Sequence, residues 1–139
     1  MAEDLSFDKT YFYNTLESGI TVPILLSLSG TAVEFEAKID TGAENCIFER
    51  RHGETLGLQI ESGSEQIFST VTGIFVTYGH ELTMNVLEVE FVSTVYFAKE
   101  ESFTRNVLGR QGWLDRVKLG LIDYEGRLFL SNLQNVIKH

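Results

Sequence analysis

A chain of 139 residues, 43% hydrophobic and 22% charged, has the length of one domain and the makeup of a soluble globular protein with a modest core. Its formal net charge of -9 excludes nucleic acid as a partner, because phosphates call for a basic surface. Cys46 is the sole cysteine, which excludes an internal disulfide and a cysteine zinc cluster.

The pattern divides the chain into a polar N-terminal arm, residues 1–18, and one domain over 19–139. The arm begins Met1-Ala2-Glu3-Asp4-Leu5, acidic where a secretion signal is basic, and no long apolar stretch follows. The expected location is therefore the cytoplasm, with no membrane association. Tyr11-Phe12-Tyr13 gives the arm an aromatic cluster suited to docking on the domain or on a partner. The first six residues equally suit a frayed end.

Ile20–Leu28 is rich in Ile, Leu and Val and predicts a strand. Ser29-Gly30 is a turn signal, and Ala32–Ile39 returns as a second strand that delivers Asp40 at its end. Between Ile47 and Leu56, the charges of Glu49, Arg50, Arg51 and Glu54 are set among Ile47, Phe48 and Leu56, predicting a short helix that Gly57 stops. Ile67–Tyr78 predicts a hairpin or bent strand pair around Gly73. Glu81–Val92 places Leu82, Met84, Val89 and Phe91 on apolar positions with Glu88 and Glu90 between, predicting one half-buried antiparallel strand. Val95-Tyr96-Phe97 is a further strand end ahead of the polar loop Lys99–Ser102. Val107-Leu108-Gly109 then leads into a short amphipathic turn of helix carrying Trp113 and Leu114. Val117–Asp123 is a strand, Tyr124–Arg127 turns it, and Leu128-Phe129-Leu130 runs back. Many short strands, tight turns and little helix predict an all-β fold, a small barrel or sandwich. No repeat or linker interrupts it.

Asp40-Thr41-Gly42-Ala43 is the stretch that carries chemistry. A carboxylate at the end of a buried strand is costly unless neighbours stabilise its charge or its proton. Thr41 can donate a hydroxyl hydrogen bond, and Gly42 lets backbone amides approach the oxygens. Alone, Asp-Thr-Gly after a strand is an ordinary turn sequence. Together with Val107-Leu108-Gly109-Arg110 further along the chain, it resembles the retropepsin-like aspartic proteases. The resemblance spans roughly Val22 to Ser131, and Leu108–Leu130 is especially similar to single-domain bacterial members.

That resemblance implies a small closed β-barrel with one or two short helices, in which Gly109 passes close behind the Asp-Thr-Gly loop where no side chain fits. It implies a homodimer, because the chain has one Asp-Thr-Gly and two copies of Asp40 would meet across a two-fold axis. Two such carboxylates share one proton. One would activate a water that attacks the peptide carbonyl; the other would hydrogen-bond that carbonyl and protonate the leaving nitrogen. Neither metal nor cofactor is implied. Thr41 would brace the paired loops. Gly42, Ala43 and Glu44 would contact a peptide or protein substrate, with Thr72, Gly73 and Ile74 doing so from a flap placed at Phe68–Tyr78. Gly73 stands alone there, so this flap is bulkier than the viral pattern. Gly109 and Arg110 would support the site, Arg110 through an ion pair with Glu44.

The remaining candidates have plainer readings. His52 and His80 are isolated and are expected to be exposed rather than metal ligands. His139 is terminal. Cys46 is expected to be a small buried apolar side chain, with no third group to complete a thiol site with His52. Trp113 is expected to anchor the core, and Glu100, Glu101 and Asp115 to be solvated. Phe7–Tyr13 and Leu133–His139 are candidate dimer-interface strands. The alternative to an enzyme is a catalytically inactive module of the same fold serving dimerisation or peptide binding. An intact Asp-Thr-Gly-Ala favours the enzyme, since a binding module has no need of a paired acid.

Overall fold

Strands account for 53% of the computed structural model and helix for 12%, so the chain is mostly β as its alternation predicts. The structure describes residues 2–133. In order, the strands are β1 (Lys9–Phe12), β2 (Thr21–Leu28), β3 (Thr31–Ile39) and β4 (Ile47–Phe48). The helix α1 (Arg50–Thr55) follows, then β5 (Ser64–Thr70), β6 (Gly73–Val86), β7 (Val89–Ala98), β8 (Val107–Leu108), β9 (Val117–Ile122) and β10 (Arg127–Asn132).

The larger sheet runs β2-β3-β8-β4-β7-β6-β5, and β2 also pairs with β6. That second pairing makes a ring-like sheet of six strands, with β5 attached to β6 outside it. Period-two patterning explains which residues fill the core. On β2, Val22, Ile24 and Leu26 are buried, and β6 and β7 add Met84, Val86, Val95 and Phe97. Each fully buried side chain of this size contributes about 1.5–3 kcal/mol. Trp113 is wholly buried in the same cluster.

A three-stranded sheet, β1-β10-β9, stands beside the ring. The arm therefore docks on its own chain: Lys9–Phe12 pairs antiparallel with Arg127–Leu130, and buried Tyr13 donates its hydroxyl to Asp123. The tail proposed as an interface strand, from residue 134 through His139, lies outside the described residues. Among the described residues, no helix is long and apolar enough to cross a membrane.

Three expectations are corrected. Glu81–Val92 is not one strand but a hairpin, in which Val86 pairs with Val89 across a turn made by Leu87 and Glu88. Both turn residues have left-handed φ, 51° and 69°, normally the province of Asn-Gly. Asn85 supplies the missing turn chemistry by accepting the Glu88 N–H at 3.0 Å. Second, Ile47 and Phe48 belong to a strand rather than the helix, because Ile47 is taken between Tyr96 of β7 and Val107 of β8. The helix starts only at Arg50, and Gly57 leaves it with φ 85°. Third, His52 is buried, its ring stacked on Phe35 at 3.8 Å, since the inner face of α1 lies against β3. His80 is half-buried, with Nε2 2.8 Å from the Ile60 carbonyl.

Candidate active site

Asp40 is the first residue beyond β3, and the backbone places it. β3 runs parallel to β8 with Ile39 beside Leu108, and the Asp40 N–H extends that pairing to the Leu108 carbonyl at 3.0 Å. From the other side, the Ile39 N–H donates to Ile20 at 2.8 Å. The loop then closes on itself. Ala43 N–H donates to the Asp40 carbonyl at 3.1 Å, and Gly42 N–H donates to Asp40 Oδ1 at 2.9 Å.

The segment after β8 backs this loop along its length. Arg110 N–H donates to Ala43 O at 2.9 Å, and Gln111 N–H to Glu44 O at 2.8 Å. Gly109 lies between: a Cβ there would stand 2.2 Å from the Asn45 carbonyl oxygen and 2.8 Å from that of Ala43. Only a glycine allows so close an approach of two backbones. Behind them Cys46 is fully buried, and burial pushes its thiol up to about 12, Asp115 adding to the rise and a hydrogen bond at Gly109 opposing it. A thiol held neutral in this way is no nucleophile.

The Glu44–Arg110 ion pair expected from the resemblance is absent. Both side chains are exposed and no ion pair or hydrogen bond among the described residues joins them; the two segments are held by backbone hydrogen bonds and by the Cys46 thiol, which donates to the Gln111 carbonyl at 3.8 Å. At an exposed site, pairing gains little Coulomb energy against the side-chain entropy it costs.

Asp40 is half-buried and opens on a cleft of about 240 Å³. Gly42, Ala43 and Glu44 form one wall, with Ile47 and Val107 beside them. The hairpin of β5 and β6 contributes Phe68, Ser69, Thr70 and Phe75 to the lining, and Phe103 and Arg105 complete it. The expected flap residues Thr72, Gly73 and Ile74 are not in this cleft. They lie at the hairpin tip and line an adjoining groove of about 590 Å³ together with Lys99, Phe103 and Arg105. Thr41 is exposed, and its hydroxyl makes no hydrogen bond among the described residues.

Sequence reasoning did not reach Phe103 and Arg105, which line the cleft. Phe75 packs on Phe68 at 5.8 Å and on Phe103 at 5.0 Å, and the Arg105 guanidinium lies over the Phe103 ring at 5.3 Å. Asn106 pins the end of this loop: its Nδ2 donates to Glu49 at 2.7 Å, its Oδ1 accepts the Glu49 N–H at 3.0 Å, and its carbonyl accepts the Lys38 N–H at 2.9 Å. No motif marks Phe103-Thr104-Arg105 in the sequence; its place at the cleft comes from the contact with Phe75, which is distant along the chain.

Chemically, one chain offers the Asp40 carboxylate, braced by the Gly42 amide, in a cleft that Glu44 also lines, with no second carboxylate hydrogen-bonded to Asp40 among the described residues. Nor do three His, Cys, Asp or Glu side chains among those residues gather to hold a metal ion. No family model matches the sequence, and neither does any curated protein.

Proposed function

We propose that the chain is a retropepsin-like aspartic endopeptidase of the cytoplasm, active as a homodimer, with its six-strand ring serving as the closed barrel of that fold. The observation that carries this reading is the Asp40 loop, a carboxylate with Thr41 and Gly42 at a strand end, backed by Leu108–Gln111 and opening on a cleft that the β5–β6 hairpin helps to line. A single chain holds half of the acid–base machinery. A second copy supplies the other Asp40, and the two carboxylates share one proton because both cannot ionise cheaply at short range.

The ionised Asp40 takes a proton from water as its oxygen attacks the peptide carbonyl. The protonated partner hydrogen-bonds the carbonyl oxygen and then gives its proton to the leaving nitrogen as the C–N bond breaks. No covalent intermediate forms. An extended peptide suits the cleft, since β5 is an edge strand able to pair with one more. The alternative, an inactive module for dimerisation or peptide binding, draws on the same cleft and on the lone Asp40 of one chain.

Cleavage of an unbiased peptide library across about pH 3 to 7 separates the two. Wild type cuts and is inhibited by pepstatin, while Asp40→Asn loses at least about a thousandfold in rate and keeps its fold and its peptide binding. Undiminished cleavage by Asp40→Asn refutes the mechanism.

A further inference from the structure

Arg105 is a cation that three neighbouring depressions share. It lines the Asp40 cleft, the groove beneath the hairpin tip, and the depression on the other side that contains Lys38 and Asp40. Its position is set rather than loose. The guanidinium rests over Phe103, Phe103 packs on Phe75 of the hairpin, and the next residue, Asn106, is clamped by Glu49. The chain carries 20 acidic residues against 11 basic ones, and Arg50, Arg51 and Arg127 all have carboxylate partners. Arg105 has none among the described residues, although Glu17 and Glu36 line the same depression.

A guanidinium fixed at the wall of a cleft, exposed and without an acid of its own, is a ready donor fork for a carboxylate. Glu44 lines the same cleft, so the cleft carries charges of both signs, and a charged ligand side chain is attracted to one and repelled by the other. We propose that Arg105 is a specificity-determining residue that selects peptides with an Asp or Glu side chain within a residue or two of the bond at Asp40. This deepens the protease reading and rests on it for the word substrate, but the recognition of an acidic peptide does not require cleavage.

The experiment has two arms. In the first, a peptide library is cleaved by wild type, Arg105→Gln, Arg105→Lys and Arg105→Glu, each checked for an unchanged melting temperature. Wild type prefers an acid at one position by about tenfold, the weight of one charge-assisted hydrogen bond. Arg105→Gln flattens that preference, Arg105→Lys keeps most of it, and Arg105→Glu turns it toward Lys and Arg. In the second arm, binding of matched Glu and Gln decapeptides to Asp40→Asn protein, with and without Arg105→Gln, is followed by fluorescence anisotropy. Cleavage indifferent to acidic side chains overturns the inference and leaves the protease standing. Absence of cleavage with Arg105-dependent binding of the Glu peptide sustains the inference and overturns the protease. Absence of both overturns both.

Discussion

Between Ile39 and Glu44 the backbone is held from three sides, by Ile20, by Leu108 and by the N–H groups of Arg110 and Gln111. The backbone of the hairpin is held less: among the described residues β5 pairs only with β6, the hairpin meets its surroundings through the rings of Phe68 and Phe75 on Tyr96 and Phe103, and its tip is stabilised by Thr70, whose hydroxyl donates to the Gly73 carbonyl at 3.1 Å. Val71 at that tip is fully exposed, and Ile74 is 72% exposed. The contrast separates two demands on one site. Groups that do chemistry must stand within a fraction of an ångström of their place, so their backbone is over-determined. A cover that admits and releases a chain must cost little to move, so it makes few contacts and keeps apolar side chains in reserve.

Gly109→Ala should have the largest effect. Its Cβ meets backbone oxygen rather than a yielding side chain, so urea denaturation should show a loss of about 3 kcal/mol. A loss below about 0.5 kcal/mol would mean that the loop is less constrained than the hairpin comparison requires.

A smaller effect attaches to His52, which lies under β3 on the constrained side. Burial, with Arg51 adding and Glu49 opposing, holds its imidazole below the ordinary value. Its Nε2 is buried without a hydrogen-bond partner among the described residues. The folded state favours the neutral ring, so the unfolded chain takes up the proton first as pH falls. Stability is full above the ordinary histidine value and declines as pH drops through it toward the folded value. Melting temperature should fall between about pH 7.5 and 5.5, and His52→Phe, which preserves the stack on Phe35, should flatten that fall. An equal slope in both proteins would assign the pH dependence elsewhere.

Val71→Ser should have the smallest effect on stability, within about 0.5 kcal/mol by thermal or urea unfolding. If the tip closes over substrate, the same change should raise KM about threefold through lost apolar contact while kcat stays level. A destabilised protein with unchanged KM would reverse the contrast between the two regions.

The strands flanking the site were legible because their signals are local. Ser29-Gly30 marks the turn between β2 and β3, where Gly30 has φ 86°, and Tyr124–Arg127 marks the turn between β9 and β10, where Gly126 has φ 66°. The Leu87-Glu88 turn was not legible, since neither residue is a usual left-handed one and the stabilising Asn85 contact depends on the fold. Ile47 and Phe48 were misassigned for a similar reason: what makes them a strand is the arrival of β7 and β8, which are distant in sequence. Asp40, Gly42 and Gly109 could be picked out as motif residues, because a close backbone approach leaves a compositional mark. Arg105 and Phe103 could not, because their role at the cleft wall comes from the hairpin folding over to meet them. The Glu44–Arg110 pair failed as an expectation because two exposed charges near each other in a motif gain too little to be held together.

The proposed mechanism needs an Asp40 from each of two chains. It is tested most directly by adding Asp40→Asn protein in increasing amounts to a fixed quantity of wild type and following cleavage of one good peptide. Mixed dimers hold a single carboxylate, so the rate should fall steadily toward zero as the variant comes into excess. A rate that stays constant at every ratio would show that each chain cleaves alone, and the shared-dyad account would be wrong.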